Sequence, residues 1–591
     1  MIYKLQNFIF GSSPFGTSRT AYLKGKNFCF NPISNFIDIK KNGVLDFCTF
    51  YNSLSLSLIQ GFLNFEKLLV QASFSGTFEF QLIHINSFGY EFIFSKKIVS
   101  SSDNIILFQY GKEDLLQLGP GLIFVRVLAL TDGIFKTACF SVETNEIVSP
   151  IKLGICITHF NRQEYVKRFI SKIHSLLDLE PFYRERIEIT IVDNSKNLSL
   201  QEDFYRYVTI IPNENTGGTG GFMRGLLSFQ EKKDITHVLF MDDDGSCEIE
   251  TLRRTINYFL LGNKHNFALS STLLFEERPD IVLEKGGFFD YQCHPRFAEM
   301  DITKKKSLIK METHPVPINY GAWCYFAFPL SALKYYAFPY FVRGDDSLFS
   351  IMNKFTIVTP IGLASYATDF SLKVSSFSIY LDCRYHLINA FFTNASRKNI
   401  ICRYAKSYVA ALFSFQYGRV ECIRLAKNNV LDGGERFWSE GVNLAETRKK
   451  IKELTHGEEP HPIDFSHSHF QIPPKFPISI WRKALCIITL NGILLPSKDI
   501  CVLQDDSWRA RFKEVFRAKE ILFFNRISQK GYITYLDRRL IVKYGFILVW
   551  DCLLLFFRLK KTKKEYLKFV NNFTTAEFWK KRLCTKNIIK L

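Results

Sequence analysis

The sequence predicts an α/β protein: a doubly wound domain in the middle of the chain, preceded by an all-β sandwich or barrel and followed by a mostly helical region. Three observations lead to this prediction. Short runs rich in Phe, Ile and Val fill the first quarter, apolar runs alternate with helical stretches in the middle, and Lys- and Arg-rich helical stretches dominate the end. The expected segments are 1–148, 149–390 and 391–591.

The N-terminal segment has the pattern of an antiparallel β structure. Runs such as GTFEFQLIHI and GLIFVRVLAL are separated by Gly, Ser, Asn and Asp, and no amphipathic helix of convincing length interrupts them. Pro150 lies near the expected linker to the next domain.

The middle segment begins with LGICITHF at Leu153, a continuous apolar run of the kind found in buried parallel strands. A helical stretch, the strand IEITIVDNS, a glycine-rich turn, another helix and the strand THVLFMDDD follow. Doubly wound sheets bind ligands at the carboxyl ends of their strands. We therefore expect THFNR, DNS and DDD to converge on one crevice.

Composition limits the kinds of partner and the compartment. The 591 residues favour two to four domains, and the net charge of +19 favours an acidic partner, namely nucleic acid, an anionic membrane surface or phosphorylated small molecules. The 14 cysteines contain no CxxC pair, which argues against structural zinc and a disulfide framework. The N-terminus lacks the pattern of a signal peptide, so we expect a cytosolic protein.

Three consecutive carboxylates, Asp242, Asp243 and Asp244, follow the third strand of the predicted sheet. Carboxylates at this position can hold Mg²⁺ or Mn²⁺ through oxygen ligands and leave coordination positions for a diphosphate. A solvated turn with one Asp capping the next helix is the alternative. The preceding strand and the neighbouring motifs favour the metal.

A glycine-rich motif, NENTGGTGGFMRG, is expected to lie ahead of a helix. Glycine permits close backbone approach to a ligand, and a helix N-terminus attracts phosphate. The motif is neither a dinucleotide fingerprint nor a Walker loop, and a flexible turn is the alternative. Its glycines are Gly217, Gly218, Gly220 and Gly221.

The ends of the first two strands supply further polar side chains. Asp193 could accept hydrogen bonds from a nucleobase or ribose, and Arg162, near Thr158, could contact a diphosphate. Capping of the following helices would explain each of these residues equally well.

The motifs THFNR, VDN, NxGGxGG and MDDD, in this order, resemble a family-2 inverting glycosyltransferase of the GT-A fold. The resemblance is greatest to bacterial galactofuranosyltransferases that use UDP-galactofuranose. NYGAWCYFAFP, residues 319–329, is similar to their Trp-bearing acceptor segment, and FVRGDDSLF, residues 341–349, to their acidic catalytic segment. The resemblance spans roughly residues 151–398.

This resemblance implies a role for each matching residue. Asp242 and Asp244 would ligate the Mn²⁺ or Mg²⁺ that holds UDP, Asp346 would be the general base, and Asp345 would bind acceptor hydroxyls. Trp323 would pack against a sugar face. The implied donor-binding residues are Thr158, Arg162, Asp193, Gly217, Gly218, Gly220, Gly221 and Asp243.

One departure from the family concerns the metal site. The family supplies a further ligand from a His that corresponds by spacing to about Tyr366, and Tyr is a poor Mg²⁺ ligand at neutral pH. Either His386 substitutes, water fills the position, or the metal is held more weakly.

The stretch YGFILVWDCLLLFFRLKKTKKEYLKF indicates where the protein resides. Its apolar part, residues 546–557, is interrupted by Asp551 and is shorter than the ~20 residues of a spanning helix. A buried core helix is one alternative. The other is a helix in the membrane interface, with its basic end attracted to anionic lipid at about 1 kcal/mol per cation. We expect peripheral attachment to the cytoplasmic face of the bacterial inner membrane.

The resulting expectation is an inverting transfer of galactofuranose to a hydroxyl of a lipid-linked surface glycan. Another donor, such as UDP-galactopyranose or a dTDP-sugar, would suit the same mechanism. Nucleic-acid binding is an alternative from the net charge, but no helix-turn-helix or RNA-binding motif supports it. An inactive scaffold is a further alternative. The acceptor, linkage, processivity and oligomeric state have no signature in the sequence.

Overall fold

The computed structural model describes most of the chain. The described residues are 1–11, 15–146, 148, 150–370, 374–434, 444–463, 470–471, 480–505, 515–525 and 528–584.

The N-terminal region is an antiparallel sheet with strand order β1-β8-β3-β7-β5-β6, in which β5 also pairs with β8. Because β3, β7, β5 and β8 thereby pair in a closed cycle, the sheet folds around an interior rich in Phe. Short helices, α1 (Leu56–Gly61) and α2 (Lys112–Leu116), interrupt it. The strands are β1 (Ile2–Asn7), β2 (Lys24–Asn31), β3 (Phe36–Asp46), β4 (Leu54–Ser55), β5 (Lys67–Asn86), β6 (Glu91–Gly111), β7 (Gly121–Ala129) and β8 (Gly133–Glu143).

The middle of the chain alternates strands and helices. Its strands are β9 (Leu153–His159), β10 (Ile187–Asp193), β11 (Val208–Pro212), β12 (His237–Asp242), β13 (Ser246–Cys247), β14 (Phe267–Ser270), β15 (Thr272–Phe275), β16 (Val282–Lys285), β17 (Gly287–Phe289), β18 (Cys293–Pro295), β19 (Phe326–Pro329), β20 (Thr356–Val358) and β21 (Ala364–Ala367). Its helices are α3 (Gln163–Leu179), α4 (Pro181–Arg184), α5 (Gly217–Gln230), α6 (Ile249–Leu260), α7 (Lys305–Thr313) and α8 (Asp345–Asn353).

The main sheet of this domain has the order β11-β10-β9-β12-β19-β14-β20, and its first four strands are parallel. Strand β9 lies between β10 and β12, with Asp193 opposite His159 and Asp242 opposite Thr158. The predicted convergence of the three strand ends on one edge is therefore confirmed. A smaller sheet, β13-β21-β15-β16, and the pair β17–β18 extend the domain beyond that edge.

Buried ionic contacts join the N-terminal sheet to the middle domain. Glu250 on α6 accepts hydrogen bonds from the backbone N–H of Asn7 at 2.7 Å and from its side-chain amide at 3.0 Å. Arg254, fully buried, donates to Glu250 at 3.2 Å and to the carbonyl oxygen of Gly362 at 3.0 Å. Because each buried charge has a partner, this interface avoids the cost of an isolated ion.

The C-terminal region is mainly helical, as predicted. Helices α9 (Ser376–Asn389), α10 (Arg397–Leu412) and α11 (Tyr417–Leu431) pack beside the main sheet, and further helices span Ala445–Leu454, Ile480–Ile488, Arg538–Phe573 and Ala576–Cys584. Short 3₁₀ helices elsewhere span Arg19–Ala21, Glu202–Arg206, Leu330–Ala332 and Ala390–Phe392.

This region also contains a sheet that the sequence analysis missed, with the order β22-β26-β25-β24-β23. Its strands are β22 (His461–Pro462), β23 (Phe470–Gln471), β24 (Lys498–Asp505), β25 (Ala518–Asn525) and β26 (Lys530–Tyr535). The longest strands have 8 residues and stand among charged stretches. Such short runs do not distinguish a strand from a buried helix segment.

The long C-terminal helix, Arg538–Phe573, packs one face against α10 and α11. Asp551 on this face is fully buried and accepts hydrogen bonds from Tyr404 Oη at 2.9 Å, from Arg424 Nε at 3.2 Å and from Lys427 Nζ. Removing a partner from such a group leaves an uncompensated buried charge. These contacts therefore fix the helix in register on its neighbours.

Candidate active site

A cavity of about 790 Å³ lies where the carboxyl ends of the main sheet meet α8, α9, α10 and α11. Asp242, Trp323, Asp345, Asp346 and Gly218 line it. Gly218 and Asp346 are 128 positions apart in sequence, and the fold brings the motifs that contain them to one cavity.

Asp243 and Asp244 are buried, and Asp242, the last residue of β12, is half-buried. Burial, followed by the charges of Asp244 and Asp243, raises the pKa of Asp242 to about 7. Its Oδ2 atom lies 3.4 Å from the Cys324 thiol, which donates a weak hydrogen bond. A carboxylate in this environment favours a nearby cation.

The guanidinium of Arg162 forms ion pairs with Asp243 and Asp244. Its Nη1 atom lies 3.0 Å from Asp243 Oδ1 and 2.6 Å from Asp244 Oδ2. Asp243 also accepts the backbone N–H of Phe160 at 2.9 Å. Asp243 therefore ties the loop after β9 to the end of β12, and Arg162 remains beside the carboxylates that were assigned to the metal.

The implied metal requires oxygen donors from the side chains at the acidic triplet. Within the described ranges, no group of three or more His, Cys, Asp or Glu side chains is arranged to hold a metal ion. Asp242 and Asp244 nevertheless supply hard oxygen donors, and their mutual repulsion would be relieved by a divalent cation. The residues fit a cation with two protein ligands, the others coming from diphosphate or water.

The two residues considered for the third ligand have other contacts. Tyr366 is buried, and its hydroxyl lies 2.7 Å from both Thr17 Oγ1 and Tyr51 Oη, towards the N-terminal sheet. His386 lines the cavity, donates from Nδ1 to the carbonyl oxygen of Asp382 at 2.6 Å, and stacks on Tyr385. Tyr366 is thus an interdomain contact.

Asp193 holds the loop that follows β10. Its Oδ1 atom accepts from the backbone and hydroxyl of Ser195 and from the backbone of Lys196, and its Oδ2 atom accepts the N–H of Leu198 at 2.8 Å. Burial alone would raise its pKa, but these hydrogen bonds lower it below the ordinary value. The contact with uridine stays a prediction, made by a carboxylate that is already well satisfied.

The sequence analysis expected the glycines to lie ahead of the helix. They lie instead within the first five residues of α5. Gly217 has a φ of +70°, and a Cβ there would lie 2.1 Å from the carbonyl oxygen of Phe341. A Cβ at Gly221 would lie 2.3 Å from Thr158 Cγ2, and one at Gly220 would meet Thr216. A Cβ at Gly218, which lines the cavity, would make only an ordinary contact, 3.7 Å from Val342 Cγ1.

The segment that resembles the family's acidic catalytic segment, residues 341–349, has a strained backbone. Phe341, Arg343 and Gly344 have φ values of 77°, 74° and 80°. Two of these residues carry side chains, which rarely adopt this conformation, and such strain concentrates at functional sites. The segment leads directly into α8, which begins at Asp345.

Asp345 and Asp346 occupy the first turn of α8. Asp345 accepts a hydrogen bond from Thr219 Oγ1 at 2.6 Å, and Asp346 accepts the N–H of Ser347 at 2.6 Å. Burial, followed by the charges of Asp345 and Glu284, raises the pKa of Asp346 well above its ordinary value. Asp345 is thus held by a side chain of the glycine turn, whereas Asp346 is held by the backbone of its own helix.

Trp323 lies against three rings. Its indole meets Phe222, Phe240 and Phe349 edge to face, with centroids 5.1, 4.9 and 5.5 Å away. Its Nε1 atom is buried and has no hydrogen-bond partner within the described part of the chain. The ring is therefore held rigidly at the cavity wall, with a donor that a bound hydroxyl could satisfy.

Glu284, at the same wall, was not predicted from the sequence. It is buried on β16, accepts a hydrogen bond from Tyr320 Oη at 2.9 Å, and faces the charge of Asp346. Burial raises its pKa to about 7. The one sequence signal that could have found it is a Glu within the apolar stretch IVLEKGG.

The pKa of Glu284 predicts how stability depends on pH. Its pKa is raised from an ordinary value of 4.5 to about 7, so the folded chain retains a proton that the unfolded chain releases. Stability is therefore lost as the pH rises from about 4.5 through about 7. We expect Glu284→Gln to raise the free energy of unfolding by roughly 2–3 kcal/mol at pH 8, and to leave it nearly unchanged at pH 4. Denaturant unfolding of the metal-free protein measures both values.

The exposed residue Glu202 provides the control, because Glu202→Gln removes the same charge from the surface. A Glu284→Gln protein that is no more stable than wild type at pH 8 would contradict the raised pKa.

Comparisons with known proteins give a family match and solved structures of low similarity. Residues 154–328 match the family model described as Glycosyl transferase family 2. A structure of GalNAc-T7 with UDP, GalNAc and Mn²⁺ is similar with 12% identity and TM-score 0.28, over 43% of this chain and 55% of that chain. A structure of S. aureus TarS 1-349 is similar with 14% identity and TM-score 0.27, over 53% of this chain and 95% of that chain. A structure of mannosyl-3-phosphoglycerate synthase from Rubrobacter xylanophilus is similar with 14% identity and TM-score 0.25, over 40% of this chain and 73% of that chain.

The chain thus spans about half the length of GalNAc-T7. No curated protein matches it. The family match, over residues 154–328, supports a nucleotide-sugar glycosyltransferase.

Proposed function

We propose that the protein is an inverting, metal-dependent galactofuranosyltransferase. It would transfer galactofuranose from UDP-galactofuranose to a hydroxyl of a lipid-linked cell-surface glycan. The main support is the meeting of the acidic strand end, Asp242, with the acidic helix start, Asp345 and Asp346, at one cavity. The furanose donor is supported by the resemblance of the sequence motifs.

Asp242 and Asp244 would hold the Mn²⁺ or Mg²⁺, whose positive charge would offset the negative charge of the departing diphosphate. Arg162, within 2.6 Å of Asp244, would remain close enough to contact a diphosphate oxygen. Gly218 would face the donor at the N-terminus of α5, and a helix N-terminus attracts phosphate. These groups together would orient the leaving UDP.

Asp346 would take the proton from the acceptor hydroxyl as that oxygen attacks the anomeric carbon, opposite the leaving UDP. A base with a raised pKa accepts a proton more readily than an ordinary Asp, provided that it is ionised first. Asp345, held by Thr219, would position the acceptor. Trp323 would pack against a sugar ring.

Direct assay tests the donor and the metal. We expect purified protein with Mn²⁺ and a synthetic galactoside acceptor to transfer from UDP-galactofuranose, because Asp242 and Asp244 then have their cation. Chelation by EDTA should abolish transfer, and added Mn²⁺ should restore it. Asp244→Ala should be inactive in Mn²⁺ and should bind UDP more weakly by calorimetry. Transfer exclusively from UDP-galactopyranose or a dTDP-sugar would refute the furanose donor, and full activity in EDTA would refute the metal.

Asp346→Asn tests the base. The substitution keeps the shape and the hydrogen bond from Ser347 but removes the proton acceptor, so turnover should fall by roughly two to four orders of magnitude. UDP affinity should change little. Asp345→Asn is the matched comparison, and we expect it mainly to raise the KM for acceptor. If Asp345→Asn is inactive and Asp346→Asn is active, the base is the neighbouring residue.

We also propose that the long C-terminal helix lies in the membrane interface. Its 36 residues and its mean hydropathy of 2.1 over an 18-residue window would permit a span. Asp551, however, ties the opposite face to α10 and α11. Contact through one exposed face suits this packing better than crossing the bilayer.

The exposed face of this helix is an apolar stripe with helical spacing. Phe546 is 75% exposed, and the helix Ile480–Ile488 adds further exposed apolar side chains, including Trp481 at 85%. The stripe consists of Val542, Phe546, Val549, Trp550, Leu553 and Phe557. Arg558 and four lysines follow it, which suits an anionic lipid surface.

Vesicle binding tests this location. Replacing Lys560, Lys561, Lys563 and Lys564 with Glu should release the protein from anionic vesicles at low salt, because each cation contributes about 1 kcal/mol near such a surface. Co-sedimentation with phosphatidylglycerol vesicles measures the effect. The control carries the same charge change on exposed lysines of the N-terminal sheet, Lys26, Lys41, Lys96 and Lys97. Failure of the wild-type protein to co-sediment would contradict the proposal.

A further inference from the structure

The cavity continues beyond the carboxylates into the C-terminal helices, where its wall is basic. Arg403 and Lys406 of α10 and Arg419 of α11 line this part, and Arg343 precedes α8. None of these four residues was singled out from the sequence. They will be called the basic wall.

The two ends of the cavity have opposite charge. Asp242, Glu284, Asp345 and Asp346 line one part. Arg343 acts electrostatically on Asp345 and lies 3.5 Å from Asp382, on which Arg403 also acts. The charge therefore changes from negative to positive along the cavity, with Arg343 between the two ends.

The acidic neighbours compensate the basic wall incompletely. Asp369 and Asp382 also line the cavity, and Glu458 interacts electrostatically with Arg419. Burial raises the pKa of Asp382 to about 7 in spite of Arg343 and Arg403, so this residue is only partly ionised at neutral pH. The three arginines and Lys406 outnumber these carboxylates. A net positive charge remains, and a bound anion would be stabilised by it.

Arg403 has the clearest capacity for an additional partner. Its Nη1 atom donates to Ser407, while its Nε atom is buried and has no hydrogen-bond partner among the residues that the structure describes. A buried guanidinium nitrogen without an acceptor is costly. A phosphate or carboxylate oxygen would provide that acceptor.

The basic wall belongs to the acceptor side of the site. The donor-side residues Thr158, Arg162, Asp193, Asp243 and Asp244 do not line this cavity. Arg403, Lys406 and Arg419 also come from helices beyond residue 328, where the family-2 match ends. A molecule with a hydroxyl at Asp346 and the rest of its length in the cavity would reach this wall.

We propose that the basic wall binds an anionic group of the acceptor, a phosphate or a carboxylate, while an acceptor hydroxyl reaches Asp346. The volume of about 790 Å³ lies within the range of sites for small molecules, and Tyr291, Tyr385 and Tyr404 give it an aromatic lining suited to sugar rings. This inference rests on the proposed function. The anion could belong to a diphosphate lipid carrier or to an acidic sugar, and the experiment separates these sources.

Calorimetric binding tests the proposal without requiring transfer. The probes are farnesyl diphosphate and methyl glucuronide, each with its neutral counterpart, farnesol and methyl glucoside. We expect at least one anionic probe to bind at least tenfold more tightly than its counterpart. Arg403→Gln and the exposed-site variant Lys406→Gln should each reduce that preference at least threefold. Lys398→Gln removes a charge from the exposed, non-lining side of α10 and should not change it.

The pattern of binding identifies the source of the anion. Preference for farnesyl diphosphate assigns the wall to a lipid carrier, preference for the glucuronide assigns it to an acidic sugar, and either result supports the proposal. No preference for an anion, or a preference unchanged in both variants, would overturn it. An equal loss of UDP affinity in Arg403→Gln would also overturn it, because the wall would then serve the donor.

The same measurements separate this proposal from the proposed function. If no nucleotide sugar supports transfer but the anionic probe binds through Arg403, the anion subsite stands and the galactofuranosyltransferase proposal fails. Circular dichroism of both variants verifies that they are folded.

Discussion

Repulsion among buried carboxylates is the constraint on which the rest of the site depends. Asp242, Asp345, Asp346 and Glu284 line one cavity in surroundings of low polarity, where like charges interact far more strongly than in water. Burial raises the pKa of Asp242 and of Asp346, and the charge of Asp345 raises both further. The fold offsets this cost with Arg162 on one side and Arg343 on the other. The neighbouring cations therefore stabilise the ionised carboxylates that would serve catalysis.

The sequence was sufficient to predict how the strand ends assemble. Apolar runs ending in THFNR, VDNS and MDDD implied parallel strands with their polar ends on one edge, and the register of Asp242 with Thr158 has this arrangement. This inference works because a buried parallel strand and its crossover helix are local patterns with a fixed geometric result. The role of each glycine was harder to predict. Three of the four serve close packing, which depends on partners such as Phe341 that are distant in sequence.

The rest of the site depends on long-range contacts that leave little trace in sequence. Glu284 differs from a surface glutamate in its burial and in its contact with Tyr320, both of which result from tertiary packing. The sheet of the C-terminal region has short strands whose pattern resembles that of buried helix segments. Arg403 belongs to a basic helix of which one face happens to meet the cavity. Charge composition predicted an acidic partner but could not indicate which cations would face it.

The glycine turn of α5 contacts the segment from Phe341 to Asp345, and these contacts have an evolutionary consequence. Gly217 lies against the carbonyl oxygen of Phe341, Thr219 donates its N–H to that oxygen at 3.0 Å, and the Thr219 hydroxyl binds Asp345. A side chain added at position 217 would displace the strained backbone that leads to Asp346. The two segments are 124 positions apart, from 217 to 341, yet they cannot drift independently. A lineage in which the glycine turn changes has to retain this backbone contact, or change both segments together.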